Sequence, residues 1–345
     1  MRFVRDVVSY CLIALIVVLV AALCVRAVGS DVSKAALGFF RGAFGSAYGI
    51  SEVLVRATPL MLSALGVSIG FQTGFFNIGA EGQIYVGAAA TTAVALAFPS
   101  LSPAAMIPLA LGAGFVAGGV WALIPGFLKA RFGLSEIINT IMFSYIAVNV
   151  VGILVRTVLK DPSYPLPMSS ETPQSLSLPL LMETSRLHAG FPIALLSAFF
   201  VHALMRWTVP GFRMRSVGLN PRASRCVGIS VYGNLLLAAF LGGGFAGLAG
   251  ACEIAGVHHK LLEGISPGFG YTAIIVALLG RSRPAGIVVA SLGIAALQIG
   301  SMSMQRSAGV PSSIAWIVMG LLVLLILARP RLVELIPAGT KEAFR

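Results

Sequence analysis

Charge is what this 345-residue sequence has least of. Asp, Glu, Lys and Arg make up 10% of it, against roughly 25% in soluble domains. A water-soluble fold of this size could not cover its apolar atoms with so little polar surface. The shortage excludes a cytosolic enzyme and a disordered chain. Cysteine is also scarce. Cys11, Cys24, Cys226 and Cys252 form no CxxC pair, so a disulfide scaffold and a thiolate metal site are excluded. They read as small hydrophobes in packed helices. Of four histidines, two are adjacent, His258 and His259. Neighbouring residues point different ways on a helix, and no carboxylate or cysteine cluster accompanies them, so they are read as loop residues and not as zinc ligands. No GxxxxGK[ST], HExxH or GxSxG occurs. The chain has no visible means of hydrolysing ATP by itself, and no cofactor or metal is expected.

What is abundant is apolar: 57% of residues, with a mean hydropathy of +0.94. The uncharged runs are long and continuous, which points to an all-α integral membrane protein. Ten spans are predicted, near residues 7–25, 57–76, 82–98, 104–128, 137–155, 187–205, 230–252, 266–280, 284–300 and 310–328. Pro99 and Pro103 divide the longest run. The first run follows Met1–Arg5 and reads as a retained span rather than a cleaved signal. The second, third and eighth spans border glycine-rich breaks and are open to interruption. The whole is one transmembrane domain, 1–345.

The net charge of +12 comes from basic residues scattered in ones and twos. That pattern sets orientation in a membrane and does not suggest nucleic acid. With both termini cytoplasmic, most basic residues fall on inside segments. The outside then receives a Pro- and Ser-rich loop, 160–186, read as a periplasmic surface loop. Ten spans divide into five plus five, which would insert the second half upside down. A faint echo links Gly74–Gly82 with Gly264–Gly270, both glycine-broken and both leading into a small-residue helix.

Four stretches carry candidate function. FNIGAEGQ (76–83) places Asn77, Glu81 and Gln83 between two apolar runs. A carboxylate at membrane depth is costly unless paired or solvated. The stretch reads equally as a functional element and as a self-bonded surface turn. The cytoplasmic loop 208–230 contains Asn220 as an N-cap, Pro221 at the first helical position and Gly228 as a stop. A short helix, Pro221 to Val227, is predicted, with Arg222 and Arg225 outward and Ala223, Cys226 and Val227 for packing. It either docks another protein or lies on lipid phosphates. Ser135 and Glu136 read as a helix start. Arg281 and Arg283 read as topology anchors in a tight inside turn.

Four segments then occur in order: FNIGAEGQ, KARFGLSEIINTIMFSYIA (129–147), SVGLNPRASRCVGIS (216–230) and GISPGFGYTAIIVALLGRSRPAG (264–286). Together they resemble the permease subunits of bacterial ABC importers in the ribose/branched-chain amino-acid superfamily. The likeness is to the longer permease of simple-sugar and purine-nucleoside (guanosine-type) systems, and it covers about Val53 to Ala328. FSYIAVN (143–149) departs from the Leu-Asn-Tyr pattern expected there. The resemblance implies half of a transmembrane pathway in the bacterial inner membrane, a second related permease, a cytoplasmic ABC ATPase and an extracytoplasmic solute-binding protein. It implies that Gly218, Asn220, Pro221, Arg222, Ala223, Arg225 and Gly228 form the segment that couples to the ATPase. The solute pathway is expected to be lined by Phe76, Asn77, Glu81, Gln83, Tyr85, Tyr145 and Asn149, with aromatic faces for a base and amides for hydroxyls. The alternative is an ion-coupled secondary transporter of a small polar solute, for which Glu81 and Glu253 are the candidate carboxylates.

Overall fold

The computed structural model describes residues 2–335. Lys341 and Arg345, which entered the topology expectation, lie outside them. Thirteen α-helices follow in order: α1 (Arg2–Ala27), α2 (Val32–Phe44), α3 (Ala47–Thr73), α4 (Ala80–Ala97), α5 (Pro103–Phe132), α6 (Glu136–Arg156), α7 (Gly190–Trp207), α8 (Val209–Leu219), α9 (Pro221–Cys226), α10 (Val231–Glu253), α11 (Phe269–Leu279), α12 (Pro284–Ala308) and α13 (Ile314–Leu335). Among the described residues no β-strand forms, only isolated bridges. Among the described residues, six helices are long and apolar enough to cross a membrane. A seventh span is reached if α1 and α2, bent by 119°, count as one. Residues 269–279 and 314–326 are apolar but shorter.

The chain divides into two compact units, 1–50 with 296–345, and 51–295. In the first, Ile13, Val17 and Val25 of α1 pack with Met304, Val310, Ile314 and Val318. The helix α2 was not expected. Lys34 and Arg41 interrupt its apolar run, yet Asp31 caps it by accepting from Ser33 N–H at 2.7 Å.

In the second unit α3 and α10 are the most enclosed helices, buried over 89% and 72% of their most apolar stretches. The values for α5, α6 and α7 are 33%, 22% and 33%. Glycine makes this possible. Side chains added at Gly66, Gly87, Gly118 or Gly250 would overlap the backbone of Gly242, Gly247, Gly243 or Ile84. In lipid there is no hydrophobic drive between helices, so close backbone approach through small residues is what holds them.

The segment 157–189, between α6 and α7, is fastened rather than loose. Ser169 N–H donates to Leu261 O and Leu178 N–H to Ala255 O, both at 2.9 Å, and Thr172 N–H donates to His259 O at 2.8 Å. These bonds stitch it to the π-helical turn that ends α10, Ile254–His258, and to His259 and Leu261 after it. Arg186 pairs with Glu52. His188 is buried against Gly256 and Gly190. Burial, with His259 nearby, holds its imidazole down at about 4.

Candidate functional site

The break between α3 and α4 occupies residues 74–79. Gly74 takes φ +80°, a left-handed conformation in which glycine is unstrained. Phe75, fully buried, anchors the turn, and its N–H donates to Gly70 O at 2.9 Å. Asn77 and Gln83 then exchange amide hydrogen bonds, at 2.9 and 3.2 Å, while Asn77 Oδ1 also accepts from Gly79 N–H. The start of α4 has no side-chain cap of its own. Donors around that start are met from α6: Ile78 N–H, just before the cap, donates to Thr140 Oγ1 and Gly82 N–H, an orphan of the first turn, to Ser144 Oγ, each at 3.2 Å.

Glu81 completes the arrangement. It is buried, and its Oε2 accepts from Gly270 N–H at 2.7 Å. That N–H belongs to the first turn of α11, where the helix dipole favours an anion. The two glycine-broken segments echoed in the sequence therefore meet. Gly270 is obligatory here, because a Cβ would overlap the Glu81 backbone. Tyr85 O–H donates to Ser266 O at 3.4 Å, and Arg56 lies 4.7 Å over the Phe269 ring.

Of the expected pathway residues, Asn77, Glu81 and Gln83 thus face inward and bond to protein. Tyr145 and Asn149 are exposed on α6, and Asn149 donates to Tyr145 O at 2.8 Å. Phe76 is 46% exposed and packs on Phe71. An open-sided pocket of about 380 Å³ brings Tyr85 and Asn149 together with Gly152, Arg156 and Glu263. Arg156 makes a bidentate pair with Glu263, at 2.8 and 2.9 Å. Arg156 is not among the candidates read from the sequence. The signal that could have found it is the helical spacing of Tyr145, Asn149, Gly152 and Arg156, which puts them on one face. Glu263, far along the chain, carried no such signal.

Thr208 caps α8, and Asn220 both ends α8 and caps α9, accepting from Arg222 and Ala223 N–H at 3.0 Å. Gly228 follows with φ +79°. The packing expectation for α9 is corrected. Ala223, Cys226 and Val227 are exposed, as are Arg222 and Arg225, and only Ser224 is buried. Six residues are too few for a packed face, so the helix turns both its bases and its apolar side chains outward. Leu219, at 87% exposed, extends that surface. The backbone of Gly218 rests on Gln72 O of α3 so closely that no Cβ fits. Pro221 occupies the first helical position. Lys129 pairs with Glu136 at 2.7 Å, while Ser135 caps α6 with no side-chain bond.

Residues 49–327 match the family described as branched-chain amino acid transport system / permease component. The chain belongs to that family. It is 39% identical over 321 residues, 91% of each chain, to a guanosine ABC transporter permease, NupP, of Bacillus subtilis. It is 36% identical to a glucose ABC transporter permease, TsgB13, of Haloferax volcanii, over 82% of this chain and 77% of that one. A nucleoside permease, NupB, of Lactococcus lactis is 33% identical over 81% and 79%. No solved structure matches. This permease is thus a subunit of an ABC importer, a multi-pass membrane protein and a transport component rather than an enzyme. Family membership decides for ATP-driven transport over the ion-coupled alternative.

Proposed function

We propose that this chain supplies one half of its importer's solute pathway and that the solute is a nucleoside or simple-sugar-like compound. A second, homologous permease supplies the other half. A cytoplasmic ABC ATPase docks on α9 and its flanks, Gly218 to Gly228, and an extracytoplasmic solute-binding protein delivers the solute to the stitched external face. The chain sits in the bacterial inner membrane with both termini inside. Its ten crossings are α1, α3 to α7 and α10 to α13, two inverted halves of five.

The observation that carries the pathway is the stripe Tyr145, Asn149, Gly152 and Arg156. An amide and a guanidinium on a bilayer helix are costly against lipid, so this face of α6 meets water or the second permease. Tyrosine faces suit a nucleobase or a sugar ring, and Asn149 with the Arg156–Glu263 pair suits hydroxyls. Glu81 ties α4 to α11, and the Asn77–Gln83 pair closes the break onto the start of α4. The relatives named for guanosine, nucleosides and glucose support the solute class.

Cysteine accessibility tests the reading. In the assembled importer, Tyr145→Cys and Asn149→Cys are expected to react with a charged aqueous thiol reagent. Leu196→Cys and Phe199→Cys, exposed on α7, are expected not to. Unreactive positions 145 and 149 overturn the pathway assignment.

A further inference from the structure

The helix α11 is tied to both flanks of the α3–α4 break. At its start, Gly270 N–H donates to Glu81, on the α4 side of the break. At its end, Gln72 Nε2, on the α3 side, donates to Ser282 O at 2.8 Å. Between those ties α11 spans 11 residues, about 16 Å at 1.5 Å per residue. The extended residues 74–79 cover that distance. The result is a closed ring: Gln72, the break, Glu81, α11, Ser282 and back to Gln72. Arg56 over Phe269 adds a second tie between α3 and the start of α11.

The end of the ring at Ser282 is stiff. Arg281 and Ser282 hold φ +51° and +52°, left-handed values that non-glycine residues resist. The turn is fixed by Ser282 N–H to Ala277 O and Arg281 N–H to Leu278 O, at 2.8 and 3.0 Å. Gly280 and Gly286 touch backbone to backbone. A displacement of this turn therefore moves α11 with it. The cytoplasmic segment bears on the ring at Gly74, the first residue of the break. Gly218, at the end of α8 and three residues before α9, lies against Gln72 O, the Thr73 carbonyl carbon and Gly74.

We propose that Gln72 is a positioning residue for coupling: it transmits movement of the α8–α9 segment to α11, which moves as one lever with the start of α4. This rests on the reading that α9 docks the ATPase. It names the route from that dock to the helix beside the pathway face, where Tyr271 of α11 is part-exposed.

The test uses the assembled importer in nanodiscs, with Cys226→Ser and spin labels on Phe132→Cys and Arg283→Cys, both exposed positions. ATP with vanadate traps the ATPase closed, and the label distance is read before and after. In this background trapping is expected to shift the distance. Gln72→Glu, which keeps the shape and loses the donor, is expected to abolish the shift while trapping nucleotide normally. Gln72→Lys, which restores a donor, is expected to recover it. An unaltered shift in Gln72→Glu overturns the proposal, as does no shift with Gln72 intact. The docking reading fails separately, if Arg222→Glu with Arg225→Glu leaves the ATPase bound.

Discussion

Glu81 in the first turn of α4 accepts a hydrogen bond from the N–H of Gly270, in the first turn of α11, at 2.7 Å. Two helix starts, 189 residues apart in the chain, share one buried carboxylate. Glu81→Ala leaves that N–H unpaired and is expected to destabilise the protein by about 1–3 kcal/mol. Glu81→Gln keeps an acceptor and is expected to cost less. Gly270→Ala forces α4 and α11 apart and is expected to cost about 1–3 kcal/mol or more by overpacking. Thermal unfolding in detergent ranks the three.

The Asn77–Gln83 amide pair predicts coupling. Asn77→Ala and Gln83→Ala are each expected to destabilise, and the double variant to fall short of their sum by about 1 kcal/mol. Strict additivity in the same unfolding assay would contradict the pairing.

The Arg156–Glu263 pair predicts the reverse balance of stability and transport. Its side chains are 62% and 38% exposed, so Arg156→Ala is expected to leave stability nearly unchanged. Solute uptake by the reconstituted importer is expected to fall well beyond that. The charge-swapped double variant is expected to recover part of the loss.

His188 predicts a pH dependence. Burial sets its folded pKa at about 4, below the 6.5 of an exposed histidine. Between those values the unfolded chain binds more protons, so stability rises with pH there. It is fully present above pH 6.5 and declines as pH falls toward 4, by up to about 3 kcal/mol. Burial lowers His259 too, with the same sign. In unfolding midpoints taken across this range, His188→Gln is expected to flatten the curve.

What was legible in the sequence was local. Asn220, Pro221 and Gly228 announce α9 because a cap, a fixed φ and a left-handed stop act within one helical turn. Gly74, Gly79 and Gly82 announce a break because they interrupt an apolar run. The partner of Glu81 was not legible, since nothing near residue 81 encodes a donor at 270. Asn77 and Gln83 read as pathway residues by polarity alone, yet each satisfies the other. The helix α2 was hidden by two basic residues that count against a span but not against a helix. Segment 160–186 read as a surface loop because it is rich in Pro and Ser, while its backbone bonds to 255–261 have no compositional trace.

The most direct test of the account is co-purification from gently solubilised membranes. Tagged wild-type chain is expected to bring down an ABC ATPase and a second permease. The chain carrying Arg222→Glu and Arg225→Glu is expected to keep the second permease and lose the ATPase. An ATPase retained by that variant, with uptake intact, would contradict docking at α9.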